Sequence, residues 1–463
     1  MAVMPEPSAA AIAPARRCAY AVVRRVFERG AYADQALQGE AGELDARDRA
    51  LAMRLAYGAV QRKGTIDHLI ARLSDRPPGR LDPPVLAALR LGLYELLYLG
   101  GSPDYAVVGD AVELAKAHGR AGHGLVNAVM RRATREGPGL LEELSDDTPA
   151  QAAVMHSHPE WIAQMWWEAL GAEQARALLA FDNEPGEVAL RANTLVTDAG
   201  PLRERLPVRT HGDPDLPEAL VLEEPFDAHG SPLWQEGAFL PQSRGAMLVA
   251  RALAPEPGER VLDLCAAPGG KSTHLAALMQ GSGEVVAVER NPRRAGALAR
   301  TAQRLRSANV RVEIGDAADW PISERWAQAP AFDRVLVDPP CSGLGTLQAR
   351  ADLRWRVTPE AMAEMAGEQA RILAAGAGAL RPGGVLVYST CTISPTENER
   401  LIEAFLDSHD DFILDDLAAD LPAYRMAPGS GGERAGAGRP GLVLTLPHRD
   451  RTAGFFIARL RRS

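Results

Sequence analysis

The chain has 463 residues, 46% of them apolar and 24% charged, and a formal net charge of −9. That length predicts two or three globular domains with ample material for buried cores. No run of 18 apolar residues occurs and Met1 to Pro14 lacks the pattern of a signal peptide, so a cytoplasmic protein without a membrane partner is expected. Cys18, Cys265, Cys341 and Cys391 are widely spaced, with no Cys-x-x-Cys and no clustered His, which argues against a disulfide framework and against a metal site. Residues 1 to 145 carry about +2 and the remainder about −11, so any basic face belongs to the first part.

Residues 14 to about 138 read as helical. Ala19, Val22, Val23 and Val26 form one apolar stripe, and Leu51, Leu55 and Tyr57 to Val60 another. Further helices are predicted at Val85 to Leu99, Tyr105 to Ala117 and Gly124 to Arg135, with breaks at Pro77-Pro78-Gly79 and Gly100-Gly101-Ser102-Pro103. Arg16, Arg17, Arg24, Arg25, Arg131, Arg132 and Arg135 fall on these helices, where phosphate contacts and ordinary solvated faces explain them equally well. The runs Leu89 to Tyr98, Ala111 to Lys116 and Val126 to Arg132 resemble the NusB-like RNA-binding helical domain. Packing alone fits a bundle for protein contacts as well.

An acidic, Pro-containing stretch from Gly137 to Pro149 reads as a linker. A small α+β subdomain is expected over 150–241: a helix with Trp161, Trp166 and Trp167, a strand ending at Arg191-Ala192-Asn193-Thr194, then short strands and turns. The tryptophans are read as core.

From Arg260 onward strands and helices alternate as in an open parallel sheet. Strands are predicted at Val261 to Leu264, Glu284 to Glu289, Val310 to Ile314, Phe332 to Val337 and Val385 to Ser389. Helices are expected at about 272 to 279, 292 to 307, 359 to 380 and 396 to 408. Ligands bind such sheets beyond the carboxyl ends of the strands. The residues there are Cys265-Ala266-Ala267-Pro268-Gly269-Gly270-Lys271, Glu289, Asp316, Asp338 with Pro339-Pro340-Cys341, and Thr390-Cys391. The first of these is a tight loop before a helix N-terminus, where bare backbone donors meet ligand oxygens. It is not a P-loop, because Cys265 stands where that motif needs Gly, and no Gly-x-Gly-x-x-Gly is present. Glu289 and Asp316 are read as acceptors for a ribose and an adenine amino group, with helix capping as the plainer alternative.

Cys265 to Lys271, Asp338-Pro339-Pro340-Cys341-Ser342-Gly343, and Ser389-Thr390-Cys391-Thr392 followed by Pro395 and Glu397-Asn398-Glu399 resemble the RNA cytosine-5 methyltransferase family. With the NusB-like part in front, nearly the whole chain resembles those members that modify 16S rRNA. The resemblance implies a Rossmann-like methyltransferase domain over 242–463 behind a NusB-like domain over 14–140. It further implies S-adenosyl-L-methionine as cofactor, RNA as partner and a monomer. It places the cofactor on Cys265 to Lys271, Glu289, Asp316 and Asp338, the nucleophile on Cys391 and enzyme release on Cys341. Cys391 would add to C6 of a cytidine, Asp338 would give a proton to N3, and Cys341 would remove the C5 proton. Glu289 stands where the family usually has Asp, and Ala453-Gly454-Phe455-Phe456 where it commonly has Asp-Gly-Phe-Phe. Gly429 to Gly441 reads as a flexible insertion. Another RNA such as tRNA as substrate, a P-loop ATP enzyme and an inactive RNA-binding assembly factor are the competing readings; Cys265 disfavours the second, and the retained cysteines and carboxylates the third.

Overall fold

The computed structural model describes residues 12–117, 122–417, 420–421 and 441–463. All of the Gly-rich stretch 429–441 except Gly441 lies outside them. The chain divides into two compact units. The first comprises residues 1–167, 172–184 and 347–356, and the second 168–171, 185–346 and 357–463.

The first unit is helical. Pro14–Arg29, Ala46–Gln61, Lys63–Ser74, Pro83–Tyr94, Asp104–Lys116 and His123–Glu142 bury their apolar stripes in one core containing Val22, Leu55, Ile66, Leu89 and Val126. Asp45 caps the helix after it by accepting from Asp48 N. The stretch expected as a linker from Gly137 is instead helix through Glu142, despite Pro138. Leu140 and Leu141 pack on the core, and Gly137 lies so close to Leu97 that a Cβ would come within 2.8 Å of it. That burial offsets the hydrogen bond lost at the proline.

The region expected as one subdomain over 150–241 is shared between the units. Its helices Pro149–Met155, Glu160–Leu170 and Ala172–Phe181 lie almost entirely in the first unit, where Trp166 is buried. The ten residues 347–356 also belong there, although they follow the Cys341 loop in sequence. Arg354, fully buried, donates to the carbonyls of Ser157 and Asp182 and to Asn183 Oδ1, and Trp355 Nε1 donates to Val60 O at 2.7 Å.

The second unit holds two sheets. The smaller is antiparallel, with strands β1 (Ala189–Ala192), β2 (Thr210–Asp213), β3 (Leu216–Leu222) and β4 (Phe239–Pro241) in the order β2-β3-β1-β4. The larger contains β5 (Arg260–Leu264), β6 (Glu284–Glu289), β7 (Val310–Ile314), β8 (Phe332–Val337), β9 (Leu380–Thr390), β10 (Phe412–Leu414), β11 (Leu442–Leu444) and β12 (Phe456–Arg462). Its order is β10-β12-β9-β8-β5-β6-β7, with β11 paired to β12. β7, β6, β5, β8 and β9 are mutually parallel; β12 runs antiparallel to β9, β10 and β11. The apolar runs of β5, β6 and β8 are buried on both faces, as parallel strands under helices must be. β5 has one successor on each side, so the strand order reverses beside it and a crevice opens at the carboxyl ends of β5 and β8.

Candidate active site

The loop 265–271, Glu289, Asp316, Asp338, Cys341 and Cys391 all lie at or just beyond the carboxyl ends of the parallel strands. Behind β5 the loop from Cys265 turns sharply into the helix Gly270–Leu278. Cys265 takes φ +66°, the left-handed region normally left to glycine, at a cost of about 1–2 kcal/mol for a side-chain-bearing residue. Gly269, at φ +101°, needs to be glycine twice over, because a Cβ would also meet Leu298 at 3.2 Å. Burial, then the charges of Asp338, Asp263 and Glu289, push the Cys265 thiol far up, so it stays protonated and unreactive.

An open cleft beside this loop is lined by Cys265, Glu289, Arg290, Asp316 and Pro340. Glu289 is buried; one oxygen accepts from Asn291 N at 2.8 Å and the other lies 3.5 Å from Arg294 Nη1. Asp316 Oδ1 caps the short turn after it through Ala318 N at 3.0 Å, so the capping reading holds for that oxygen while the carboxylate still borders the cleft. A loop that glycine lets a ligand approach and two strand-end acids facing one cleft fit an adenosine-bearing cofactor.

At the end of β8, Asp338 accepts from Lys271 Nζ at 2.7 Å and from Ser389 Oγ at 2.8 Å. Burial pulls the Lys271 pKa down, but the adjacent Asp338 carboxylate more than offsets that and leaves it raised. The charge of Cys391 is a further contribution in the same direction, so lysine and that sulfur attract one another. Cys341, on the loop after β8, and Cys391, just past β9, stand 3.4 Å apart, sulfur to sulfur. The Cys341 thiol is held well above its usual range by its hydrogen bond with Cys391, by burial and by the charges of Cys391 and Glu397.

In the sequence Ser389 is only part of a motif; its contact with Asp338 depends on β8 and β9 being neighbours, which spacing does not show. Arg191 and Gln242 likewise read there only as strand and turn residues. Arg191, on β1, is buried and donates to Gly270 O, to Gln242 Oε1 at 2.7 Å and to Thr273 Oγ1 at 3.0 Å, fixing the first turn of the helix behind the loop. The altered Ala453-Gly454 segment packs tightly on the Cys341 loop. Gly454 N donates to Gly345 O at 2.7 Å, and a Cβ on Gly345 would lie 2.0 Å from Gly454 O.

Among the described residues no helix is long and apolar enough to cross a membrane. Of the arginines placed on the N-terminal helices, Arg16 pairs with Glu95, Arg24 with Glu28, Arg25 with Glu40 and Arg132 with Glu136. Arg131 donates to Asn127, and Arg135, 68% exposed, reaches Glu136 only at 4.0 Å.

The family described as 16S rRNA methyltransferase RsmB/F matches residues 250–461, the NusB family residues 13–135, and a ferredoxin-like domain of RsmF/B-like methyltransferases residues 158–229. The chain is 35% identical to a probable ribosomal RNA small subunit methyltransferase B of Synechocystis sp., over 97% of this chain and 99% of that one. It is also 35% identical to its counterpart in Bacillus subtilis, over 91% and 92%. The crystal structure of PH0851 superposes with a TM-score of 0.78 at 26% identity, covering 98% of this chain and 99% of that one. Identity at this level, sustained from the NusB-like helices to the last strand, places the chain in the 16S rRNA methyltransferase RsmB/F family.

Proposed function

We propose that the protein transfers a methyl group from S-adenosyl-L-methionine to C5 of a cytidine in 16S rRNA through a covalent adduct between Cys391 and C6. The observation that carries this reading is the pair of sulfurs 3.4 Å apart beside the Lys271–Asp338 ion pair. Cytosine C5 is a weak nucleophile. A thiolate added at C6 makes the ring enamine-like, with the displaced electron pair delocalised onto N3 and C5. Cys391 is the better thiolate, because a cation beside a thiol favours its anion and Lys271 faces it. Cys341, kept as a thiol, is the less suited to attack.

The site has residues for each later need. The Lys271–Asp338 pair supplies the proton that N3 takes as charge develops there; in the free protein that proton rests on lysine, with Asp338 and Ser389 orienting it. The loop 265–271 with Glu289 and Asp316 would hold the cofactor, whose chemistry when bound is that of an electrophilic sulfonium methyl for C5. Once Cys391 has joined the base and no longer carries its charge, Cys341 gives its proton to Lys271, which the N3 step has left neutral. The Cys341 thiolate then removes the C5 proton, and the electrons of that C–H bond form C5=C6. The C6–S bond breaks to release the Cys391 thiolate, and the N3 proton leaves to solvent. A base in a helix hides C6, so the cytidine must be unpaired or extruded.

The test is denaturing electrophoresis with labelled small-subunit RNA. Cys341→Ala should attack and methylate once, then remain attached as a slow band; Cys391→Ala and the double variant should give none. A band from Cys391→Ala alone would exchange the two roles. Activity retained in Cys391→Ala would remove the covalent route. Bisulfite sequencing of RNA from cells with and without the protein identifies the target, and loss at a tRNA site instead of a 16S site would replace the substrate.

A further inference from the structure

Glu397 and Asn398 lie just beyond Cys391 and are both buried, at 0% and 1% exposure. Glu397 accepts from Ser342 N at 2.8 Å, from Ser342 Oγ, and from Gln369 Nε2 at 3.0 Å. Three donors and no acceptor is the bonding pattern of a carboxylate. The single hydroxyl proton of Ser342 points at Glu397, so the 2.7 Å contact between Ser342 Oγ and Thr392 Oγ1 is donated by Thr392. Gln369 also donates to Pro340 O at 2.9 Å. Glu397 thus grips both chain neighbours of Cys341, Ser342 directly and Pro340 through Gln369. Asn398 does the same for Cys391: Thr390 Oγ1 donates to its Oδ1 at 2.6 Å, and its Nδ2 donates to Thr392 O at 2.9 Å.

We propose that Glu397 and Asn398 are the positioning residues of the two-cysteine site, Glu397 bracketing Cys341 and Asn398 bracketing Cys391, so that adjacent residues set the spacing of the two sulfurs. The clamp rests on the reading of the cysteines given above. It also divides their labour. A carboxylate beside the Cys341 loop opposes a second anion there, while Lys271 favours one at Cys391. The charged groups facing the sulfurs are Lys271, Asp338 and Glu397, with Tyr388 behind them, its hydroxyl bonded to Glu397 O.

The experiment alkylates the full chain with iodoacetamide between about pH 6 and pH 9, without RNA or cofactor, and maps the modified cysteines by mass spectrometry. Wild type should label Cys391 faster than Cys341, because the thiolate is the species that alkylates and the Cys341 thiol is the one held up by its neighbours. Glu397→Gln, which keeps the shape and removes the charge, should lower the pH at which Cys341 labels and shrink the ratio of the two rates severalfold. Glu397→Asp, which keeps the charge, should restore most of the ratio, a rescue that a purely structural role does not predict. Asn398→Ala should alter the labelling of Cys391 and spare the pH response of Cys341. An unchanged ratio in folded Glu397→Gln overturns the proposal. Should that variant fail to give a cooperative melt, Ser342→Ala decides, since it cuts the hydroxyl link between the two loops; an unchanged ratio there overturns it equally. A chain that labels in the expected order yet forms no RNA adduct would sink the assigned reaction and leave the clamp standing.

Discussion

Asp263, on β5, has no exposed surface, and burial raises its carboxyl to about 7 even though Ser272 Oγ donates to it. An unfolded aspartate ionises near 3.9. Between about pH 4 and pH 7 the folded chain therefore holds a proton that the unfolded chain has lost, and stability falls as pH rises through that window. Below it the contribution is complete; above it the contribution is gone. Asp263→Asn stays neutral throughout and can still accept from Ser272. Its stability relative to wild type should rise by a few kcal/mol from pH 4 to pH 8 in urea unfolding, at about 1.4 kcal/mol for each pH unit between the folded and unfolded titrations. A difference that does not change with pH would mean that Asp263 is not buried as described. Asp316, by contrast, borders the cleft proposed for the cofactor, and Asp316→Ala should weaken S-adenosyl-L-methionine binding by about tenfold or more in calorimetry, the equivalent of one charge-assisted hydrogen bond. Unchanged affinity would return Asp316 to a capping role alone.

At the level of elements, the strands of the larger sheet are the most legible part of the chain. β6, β7 and β8 begin and end at the residues predicted; in β6 and the second half of β8 the apolar run is buried on both faces and leaves no ambiguity of phase, whereas β7 is a half-buried edge strand with Ile314 exposed. β9 starts earlier than Val385, at Leu380, since Leu380 pairs with Phe332 across a register shift that no periodicity reveals. The helix through Pro138 reads as a linker in sequence because its justification, packing on Leu97 and the core, is tertiary. Arg191 escapes a sequence reading of the site for the same reason. Its guanidinium joins β1 to the helix Gly270–Leu278 across 79 residues of sequence, and burial lowers its pKa to about 9. Arg191→Met should remove the donor shared by Gln242, Thr273 and Gly270 O, leaving Gly270 O only the weaker Thr273 hydroxyl, and cost about 2–4 kcal/mol in urea unfolding. Arg191→Lys should recover little, because an ammonium lacks the planar fork that serves three acceptors. Full recovery by lysine would show that only the charge matters.

At the scale of the whole molecule, the sequence motifs locate the cysteines and strand-end acids but not the membership of residues 347–356 in the helical unit, because a ten-residue excursion carries no periodic signal. That excursion changes how the RNA-binding reading of the N-terminal helices is best tested. Deleting residues 1–140 would strip Val60 from Trp355 and Gly30 from Arg356, so a loss of function could reflect unfolding instead of lost RNA contacts. Point substitutions in the full chain avoid this. Acidic partners already neutralise Arg16, Arg24, Arg25 and Arg132, whereas Arg131 bonds a neutral amide and Arg135 is largely exposed. Phosphate contacts are expected from the latter two. Each phosphate neutralised on single-stranded RNA contributes about 0.7 to the slope of log K against log salt. Arg131→Gln with Arg135→Gln should therefore weaken binding to small-subunit RNA and flatten that slope by about 1.4, whereas Arg24→Gln with Arg25→Gln should move it much less. Cofactor binding should be the same in both. Equal slopes for wild type and both double variants would assign the helix His123–Glu142 a packing role and move the RNA surface elsewhere.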